Sequence, residues 1–450
     1  MGSRSRPSLD RSEFRFYLET HGCSMNRSDS QIMESLLRRA GWTRVDRPER
    51  ADILILNTCN VKTPTEQRML HRAKVLYKYG PLIAAGCMAK SQPALLRPYS
   101  KVLVAPRSID SIVEAAFLAL EGKEGEFLEW KRLDKASYDR DPADLIGIVP
   151  IAEGCLGSCT YCITKLARGR LTSFSKESII DRVRDFLNKG AVEIWLTAED
   201  TGVYGWDIGT DLPDLLDGIT SLKGEFRIRV GMMTPNSALR IVDRLLGSFE
   251  SPKLYKFFHL PIQSGSNRIL RLMGRDYTVE EFISLVKRIR ERYEDSTIST
   301  DIIVGFPGET EEDFQRTLRL LEEIEPDVVN LSRFGPRPKT KAASLPQLPA
   351  SVIKRRSKVA MKLIEEIKER RNEGFLGRDL VVLASEITPK GTQGRTPSYK
   401  PVALGQVEPG YFYEVVIEGF RGNYLLGRVV RRLGRAGLGL EVKVEECPYG

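Results

Sequence analysis

The sequence predicts an α/β chain in three parts: an N-terminal doubly wound parallel α/β domain, a central partial (β/α) barrel and a small C-terminal antiparallel β-barrel. Three observations predict it. Strand patterns alternate with amphipathic helix patterns over roughly 14–120 and again over roughly 145–345, as in parallel sheets with helical crossovers. The remainder carries short strand patterns separated by Gly and Pro. At 450 residues the chain also exceeds the size at which one hydrophobic core keeps growing.

The first domain, 13–121, has expected strands at 14–20, 51–57, 81–85 and 101–105. Between the first two, the stretch from Ser28 to Gly41 has a capping residue, Ile32, Met33, Leu36 and Leu37 on one face, and a closing glycine. Residues 122–144 are polar and charge-dense and read as a linker. The central domain, 145–370, has expected strands at 146–151, 192–197, 227–232, 255–260, 297–304 and 327–332. Helix patterns separate them; 176–189 puts Ile179, Ile180, Val183, Phe186 and Leu187 on one side. Right-handed crossovers between such repeats give a barrel or partial barrel whose site lies at the C-terminal strand ends. Lys354-Arg-Arg-Ser-Lys358 opens a helix running to about Arg371 with a basic, exposed face. The last domain, 371–445, has expected strands at 379–385, 399–405, 411–419 and 424–431.

With 41% hydrophobic and 29% charged residues the composition is that of a soluble globular protein. No apolar run approaches the ~18 residues of a membrane span, so no membrane partner is expected. The polar start, Met1-Gly-Ser-Arg-Ser-Arg-Pro-Ser8, lacks a signal-peptide core and predicts a cytoplasmic protein. A net charge of +9 suits a polyanionic partner without establishing one. The seven cysteines, an odd number, argue against a disulfide framework and for metal or catalysis.

Cys155, Cys159 and Cys162 form a Cys-x3-Cys-x2-Cys run just after the first strand of the central domain. Three thiolates this close can grip three corners of a [4Fe–4S] cube and leave its fourth iron open. An open iron can bind the amino and carboxylate groups of S-adenosylmethionine, and one electron then cleaves the sulfonium to a carbon radical. A zinc knuckle, the competing reading, needs a fourth ligand that the neighbourhood lacks. Cys23, Cys59 and Cys87 each fall just past the carboxyl end of an expected parallel strand, the edge where open α/β sheets gather ligands. Three strand ends of one sheet can bring three thiolates together, with Gly22 and Gly86 removing bulk beside two of them. Three core cysteines are the alternative. Cys447, in a polar tail, receives no role.

Several segments together resemble one family over nearly the whole chain, the tRNA-modifying methylthiotransferases. They are Glu19-Thr-His-Gly-Cys-Ser-Met-Asn-Arg-Ser-Asp29, Asn57-Thr-Cys-Asn-Val-Lys62, Ala85-Gly-Cys87, Gly154-Cys-Leu-Gly-Ser-Cys-Thr-Tyr-Cys162, Ala167-Arg-Gly-Arg170, Phe258-His-Leu-Pro-Ile-Gln-Ser-Gly-Ser-Asn267 and Asp301-Ile-Ile-Val-Gly-Phe-Pro-Gly-Glu-Thr310. The resemblance implies two [4Fe–4S] clusters: an auxiliary one on Cys23, Cys59 and Cys87, and a radical S-adenosylmethionine cluster on Cys155, Cys159 and Cys162. It also implies a C-terminal RNA-binding TRAM barrel. The auxiliary cluster would hold or donate sulfur, one S-adenosylmethionine would methylate that sulfur, and a second would supply the radical. An electron donor such as ferredoxin or flavodoxin, and action as a monomer, go with this reading. Leu196-Thr-Ala-Glu-Asp-Thr-Gly-Val-Tyr204, Arg333-Phe-Gly-Pro-Arg-Pro338 and Gly394-Arg-Thr-Pro-Ser-Tyr-Lys-Pro401 resemble the archaeal and eukaryotic branch. That branch implies N6-threonylcarbamoyladenosine beside the tRNA anticodon as substrate. N6-isopentenyladenosine, or a ribosomal-protein aspartate, are the alternatives, and a non-enzymatic iron–sulfur RNA-binding protein is a third. The loop after Cys162 departs from the family's pattern at Leu166, where Pro or a basic residue is common.

Further site residues follow. Glu199 and Asp200 end the second barrel strand, where a carboxylate can pair with the methionine ammonium; ordinary loop acids are the alternative. Gln263 and Ser264 end the fourth strand and are expected to touch cofactor or substrate. Gly305 and Pro307, in Gly305-Phe-Pro-Gly308, resemble a backbone patch against adenine, with a plain tight turn as the alternative. Arg168 and Arg170 can hold an anionic group such as the threonyl carboxylate; a phosphate contact or a surface role is the alternative. Arg421, Arg428 and Arg431, with Arg432 and Arg435, form a run with no acid between Phe420 and Leu440. Tyr399, Phe412, Tyr413, Phe420 and Tyr424 lie among them, the composition of a single-stranded-RNA groove or of a solvated face over core aromatics.

Overall fold

The computed structural model describes residues 14–437, so Cys447 lies outside the described residues. The chain divides into two compact units. Of the described residues, the first holds those through Arg140 together with Ile163–Gly169; the second holds Asp141–Cys162 and those from Arg170 on.

In the first unit, β1 (Arg15–Thr20), β2 (Thr43–Arg44), β3 (Ile53–Thr58), β4 (Leu82–Gly86), β5 (Val102–Val104) and β6 (Gly125–Phe127) form one parallel sheet in the order β2-β1-β3-β4-β5-β6. The strands read as continuous apolar runs because both faces are covered. Ile53, Ile55 and Ile83 pack with Ile32, Met33 and Leu37 of the helix Ser24–Arg39. On the other face Leu54, Leu56 and Ala84 pack with Met69, Ala73 and Leu76 of the helix Thr63–Leu76. The strand order reverses between β1 and β3, which makes their carboxyl ends a topological switch point.

The expected linker is corrected here. Residues 125–127 are the sixth strand, pairing with β5. Lys135 is fully buried, with its ammonium 2.7 Å from Asp29, and the buried Arg140 donates to Ser28. The polar composition that suggested a linker instead supplies buried ionic partners, and the first unit continues through Arg140.

In the second unit, β7 (Ile146–Pro150) leads into a short hairpin of β8 (Ala152–Glu153) and β9 (Thr172–Ser173). There follow β10 (Glu193–Thr197), β11 (Arg227–Val230), β12 (Phe257–His259), β13 (Thr297–Val304) and β14 (Val328–Arg333). They form two parallel three-stranded sheets, β11-β10-β7 and β12-β13-β14, bridged through Ile228 and Leu254. The result is a partial barrel. Alternate residues such as Ile194, Leu196, Ile228, Val230, Ile298 and Ile302 are buried toward the helices, leaving Trp195, Arg229, His259 and Asp301 to face the lumen. No helix of the described residues is long and apolar enough to cross a membrane.

The helix Ala350–Glu373 leads into a closed barrel of β15 (Asp379–Thr388), β16 (Gly391–Arg395), β17 (Pro401–Gly405), β18 (Tyr411–Arg421) and β19 (Tyr424–Arg435), in the order β15-β16-β17-β19-β18. Pairings are antiparallel except β17–β19, which is parallel, a departure from the all-antiparallel expectation. The strand β16 was not foreseen, since Gly-Thr-Gln-Gly-Arg contains no apolar residue. Gly394 is required there, because a Cβ would lie 2.4 Å from a Val382 methyl.

The basic helix face is also smaller than expected. Arg356 is buried, 2.6 Å from Glu309, and Arg355 pairs with Glu311 at 2.8 Å. The C-terminal barrel closes the N-terminal strand ends of the partial barrel. Buried Asp327 receives Lys400 at 3.0 Å and Arg371 at 3.1 Å, Ser385 donates to Glu193, and the Lys256 N–H donates to the Pro397 carbonyl.

Candidate functional site

Two cysteine triplets occupy C-terminal strand ends, one in each unit. In the first unit the register sets Thr20 beside Asn57 and Thr58 beside Gly86, so three neighbouring strands end flush. Cys23 then caps the helix Ser24–Arg39, Cys59 follows β3, and Cys87 starts a short helix. Asn26, fully buried, organises them. Its Nδ2 donates to the carbonyls of His21 (3.1 Å) and Thr58 (2.8 Å). Its Oδ1 lies 3.8 Å from the Cys23 Sγ and 3.7 Å from the Cys87 Sγ, so both sulfurs point at one atom. At Gly22, where φ is +123°, a Cβ would come within 2.8 Å of the Cys59 Cβ.

Arg168 belongs to this unit. Its guanidinium is buried, 2.9 Å from Asn26 Oδ1 and 2.8 Å from Asp29, and Arg107 donates to its carbonyl. That placement sets Arg168 behind the cysteines rather than in solvent, whereas Arg170 is exposed and falls in the second unit. Cys59 resists ionisation because burial and the neighbouring Cys87 both raise its pKa, with Arg168 acting against them. Iron binding to such thiols releases their protons.

Gly86 carries the tightest constraint. It has φ +91°, and a Cβ would lie 2.3 Å from Asn57 Oδ1 and 2.5 Å from the Thr58 carbonyl oxygen. Gly86→Ala is therefore expected to cost about 2 kcal/mol or more and to displace Cys87. A lowered thermal midpoint together with reduced iron uptake reads this out.

In the second unit Cys155, Cys159 and Cys162 lie on the loop after β8, all partly buried. The Gly157 N–H donates to the Cys155 Sγ at 3.2 Å. A Cβ at Gly157 would lie 3.3 Å from the Cys155 sulfur and 3.7 Å from that of Cys159. The loop is clasped from outside. Thr160 N–H donates to the Met273 carbonyl at 2.9 Å, and Tyr161 packs edge-on against Phe306. Burial, with Asp200 adding to it, pushes the Cys155 thiol up to about 12; burial also raises Cys159 while the Arg275 cation opposes it.

Among the described residues no three His, Cys, Asp or Glu side chains converge closely enough to hold a single metal ion. Each triplet offers three thiol sulfurs, the donor type that ligates iron–sulfur cubes.

The remaining candidates divide. Glu199 accepts the Gly154 N–H at 2.7 Å, bracing the loop just before Cys155. Asp200 is internal: its carboxylate accepts from the Gly202 and Thr234 N–H groups and from the Thr234 and Ser237 hydroxyls. Burial raises its pKa against these bonds. Asp200→Ala would orphan these donors and is expected to cost about 3 kcal/mol, seen as a lower unfolding midpoint. Gln263 has φ +75° and bridges to Ile302; Ser264 is buried, its hydroxyl accepting the Ser266 N–H. Gly305 has φ +78°, its N–H bonds Glu309, and a Cβ would lie 2.5 Å from Ile353. Pro307 is buried in the same turn.

On the C-terminal barrel the arginine run is not free of acids in space, because β18 supplies them. Arg428 pairs with Glu418, Arg431 with Glu414, and Arg432 with Glu408 at 2.9 Å. Arg421 is exposed at the hairpin end of β18. Of the five aromatics, Phe412 and Tyr413 are buried, and Tyr399 packs on Tyr255 and Phe257. Only Phe420 and Tyr424 remain for stacking. Sequence reasoning passed over Asn26, Asp29, Lys135 and Arg275; the first two lay inside a quoted motif, but nothing in their residue types marked them out.

Comparisons with known proteins bear on the chain's family and fold. Residues 149–321 match the Radical SAM superfamily, and residues 15–105 match Uncharacterized protein family UPF0004. The chain is 44% identical to the probable threonylcarbamoyladenosine tRNA methylthiotransferase of Pyrococcus horikoshii, over 92% of this chain and 99% of that one. It is 36% identical to the threonylcarbamoyladenosine tRNA methylthiotransferase of Danio rerio, over 96% of this chain and 76% of that one. Among solved structures, the radical S-adenosylmethionine methyltransferase TsrM from Kitasatospora setae shares the fold with TM-score 0.54 and 15% identity, over 74% of this chain and 75% of that one. A second structure of that methyltransferase, also at TM-score 0.54, holds cobalamin and a [4Fe-4S] cluster. The chain belongs to the family of threonylcarbamoyladenosine tRNA methylthiotransferases, enzymes of the radical S-adenosylmethionine superfamily.

Proposed function

We propose that this protein converts N6-threonylcarbamoyladenosine at position 37 of tRNA, beside the anticodon, to its 2-methylthio derivative. The observation that carries this reading is the pair of cysteine triplets at the carboxyl ends of parallel strands, one per unit, in a chain whose relatives in archaea and eukaryotes bear that activity's name. Cys155, Cys159 and Cys162 would hold the radical [4Fe–4S] cluster, and Cys23, Cys59 and Cys87 a second one. When bound and reduced, the radical cluster supplies the electron that cleaves S-adenosylmethionine, and the auxiliary cluster supplies sulfur.

The chain's own residues prepare for this. Glu199 and Gly157 fix the loop that presents the radical triplet. Gln263, Gly305 and Pro307 line the turns at the same strand ends, where the cofactor's nucleoside and methionine parts would bind. Asn26 and Arg168 set the auxiliary triplet. Arg170, Arg421, Arg428 and Arg431 would contact the RNA, the last two by exchanging their carboxylate partners for phosphate. A cytoplasmic location, a ferredoxin- or flavodoxin-type donor and a monomer complete the proposal.

The test is mass spectrometry of tRNA nucleosides from cells with and without the gene. A methylthio increment on N6-threonylcarbamoyladenosine is the expected result. An increment on isopentenyladenosine instead, or on a polypeptide with tRNA unchanged, overturns the substrate.

A further inference from the structure

The lumen of the partial barrel holds a cation with no counter-charge among the described residues. Arg229, on β11, stands beside Trp195 in register, two positions below the Thr197–Pro150 level at which β10 and β7 end. That is about 7 Å down from the strand ends. The Arg229 guanidinium carbon lies 5.5 Å from the ring centre of Trp195, 5.2 Å from Phe257 and 5.6 Å from Tyr399. Its Nε is buried without a hydrogen-bond partner. Among the described residues no carboxylate reaches it.

Its neighbours are provided for. Arg227 has Glu225 at 3.5 Å, and Arg395 has Glu386 at 3.1 Å. Glu193, the carboxylate one layer below, is occupied by the Trp195 indole N–H (2.5 Å), the Tyr255 hydroxyl (3.2 Å) and the Ser385 hydroxyl (2.6 Å). Aromatic faces offset part of the desolvation of a guanidinium but leave its N–H edge without acceptors. A planar fork held this way suits a carboxylate.

The third wall of this cage comes from the C-terminal barrel. Tyr399 lies on the turn between β16 and β17, closed by its N–H to the Thr396 carbonyl at 2.8 Å. Its φ of +68° is strained for a tyrosine, and such strain persists where the surroundings enforce it, often at functional sites. The ring is wedged against Tyr255 (4.8 Å) and Phe257 (5.0 Å), with Arg395 over it at 4.7 Å. Its hydroxyl makes no hydrogen bond among the described residues. Burial and the Glu193 charge keep the phenol protonated, hence a donor.

We propose that Arg229 and Tyr399 are the receptor for the carboxylate on the N6 side chain of the substrate. The inference rests on the threonylcarbamoyl reading above. It makes the C-terminal barrel part of the substrate cavity as well as an RNA-binding surface. With the adenine at the strand ends, where the radical forms, the N6 substituent extends down the lumen to a bidentate contact with Arg229 and a hydroxyl bond from Tyr399.

The experiment uses the full-length, cluster-reconstituted protein and two anticodon stem-loop RNAs. One carries N6-threonylcarbamoyladenosine; the other carries its threoninamide counterpart, isosteric but uncharged. The expected result is that R229Q lowers kcat/KM on the carboxylate RNA by about thirtyfold or more while changing the amide RNA far less. R229K should fall between, and Y399F, which keeps the ring and its packing, should lose several-fold on the carboxylate RNA alone. Equal losses on both RNAs in R229Q and Y399F overturn the receptor. A matching rise in the dissociation constant for S-adenosylmethionine also overturns it, giving the guanidinium to the cofactor's carboxylate instead. If the unmutated protein modifies neither RNA but does modify an isopentenyladenosine stem-loop, the substrate reading itself has failed, an outcome distinct from the other two.

Discussion

Cys155→Ala is expected to abolish reductive cleavage of S-adenosylmethionine and methylthiolation together. The substitution removes one of only three sulfurs that the loop 155–162 offers, and the loop has no spare ligand. Glu199 is bonded to the Gly154 amide, and Asp200 is fully engaged by Gly202, Thr234 and Ser237. The stability cost should be small, because the Cys155 sulfur accepts one amide, from Gly157, and is partly exposed. Anaerobic reconstitution should therefore give a folded protein with about half the iron of the unmutated one. Reduced with dithionite and supplied with S-adenosylmethionine, it should release 5′-deoxyadenosine only at background level. Undiminished release would remove Cys155 from the radical cluster.

Much of this was legible in the residues, and the exceptions have physical causes. The strands of both parallel sheets could be read because burial on both faces makes continuous apolar runs such as Ile53–Leu56, and their ends fell within two or three residues of the expected positions. The local spacing of Cys155, Cys159 and Cys162 singles out that triplet in the sequence. The triplet of Cys23, Cys59 and Cys87 can be singled out only through topology, since parallel pairing alone brings the ends of β1, β3 and β4 side by side.

What failed was any inference that treated polarity as exposure. The charge-dense stretch 122–144 contributes a strand and the buried Lys135, which answers Asp29 across 106 positions of sequence. Arg168 looked like a substrate ligand from its neighbours in sequence, yet its partners, Asn26 and Asp29, sit more than a hundred residues earlier. The arginines of β19 looked unopposed along the chain. Across the sheet each of three finds a glutamate, because antiparallel pairing sets Arg431 beside Glu414 and Arg428 beside Val416, two residues from Glu418. Sequence separation hides ion pairs of this kind, so a one-dimensional count of charge overstates the free positive surface.

Cys23→Ala should separate the two halves of the chemistry. Its iron content should fall by about half, as for Cys155→Ala, but from the other triplet. Cleavage of S-adenosylmethionine should persist, because Cys23 lies in the first unit and no radical-triplet residue does. Product should vanish, since Cys59 and Cys87 alone offer two sulfurs to a cube that needs three. Cys23 is the exposed member of its triplet, so its removal disturbs the fold least. Cys59 and Cys87 are buried, and Gly22 and Gly86 beside them leave no room for rearrangement. The informative comparison is therefore between two alanine variants that lose the same amount of iron but differ in radical formation. Should Cys23→Ala still place a methylthio group on tRNA, the sulfur does not come from a cluster at the carboxyl ends of β1, β3 and β4. The three converging thiols there would then be packing residues around Asn26. Should it instead lose cleavage as well, the two triplets are coupled in assembly, and the division of labour between them has to be abandoned.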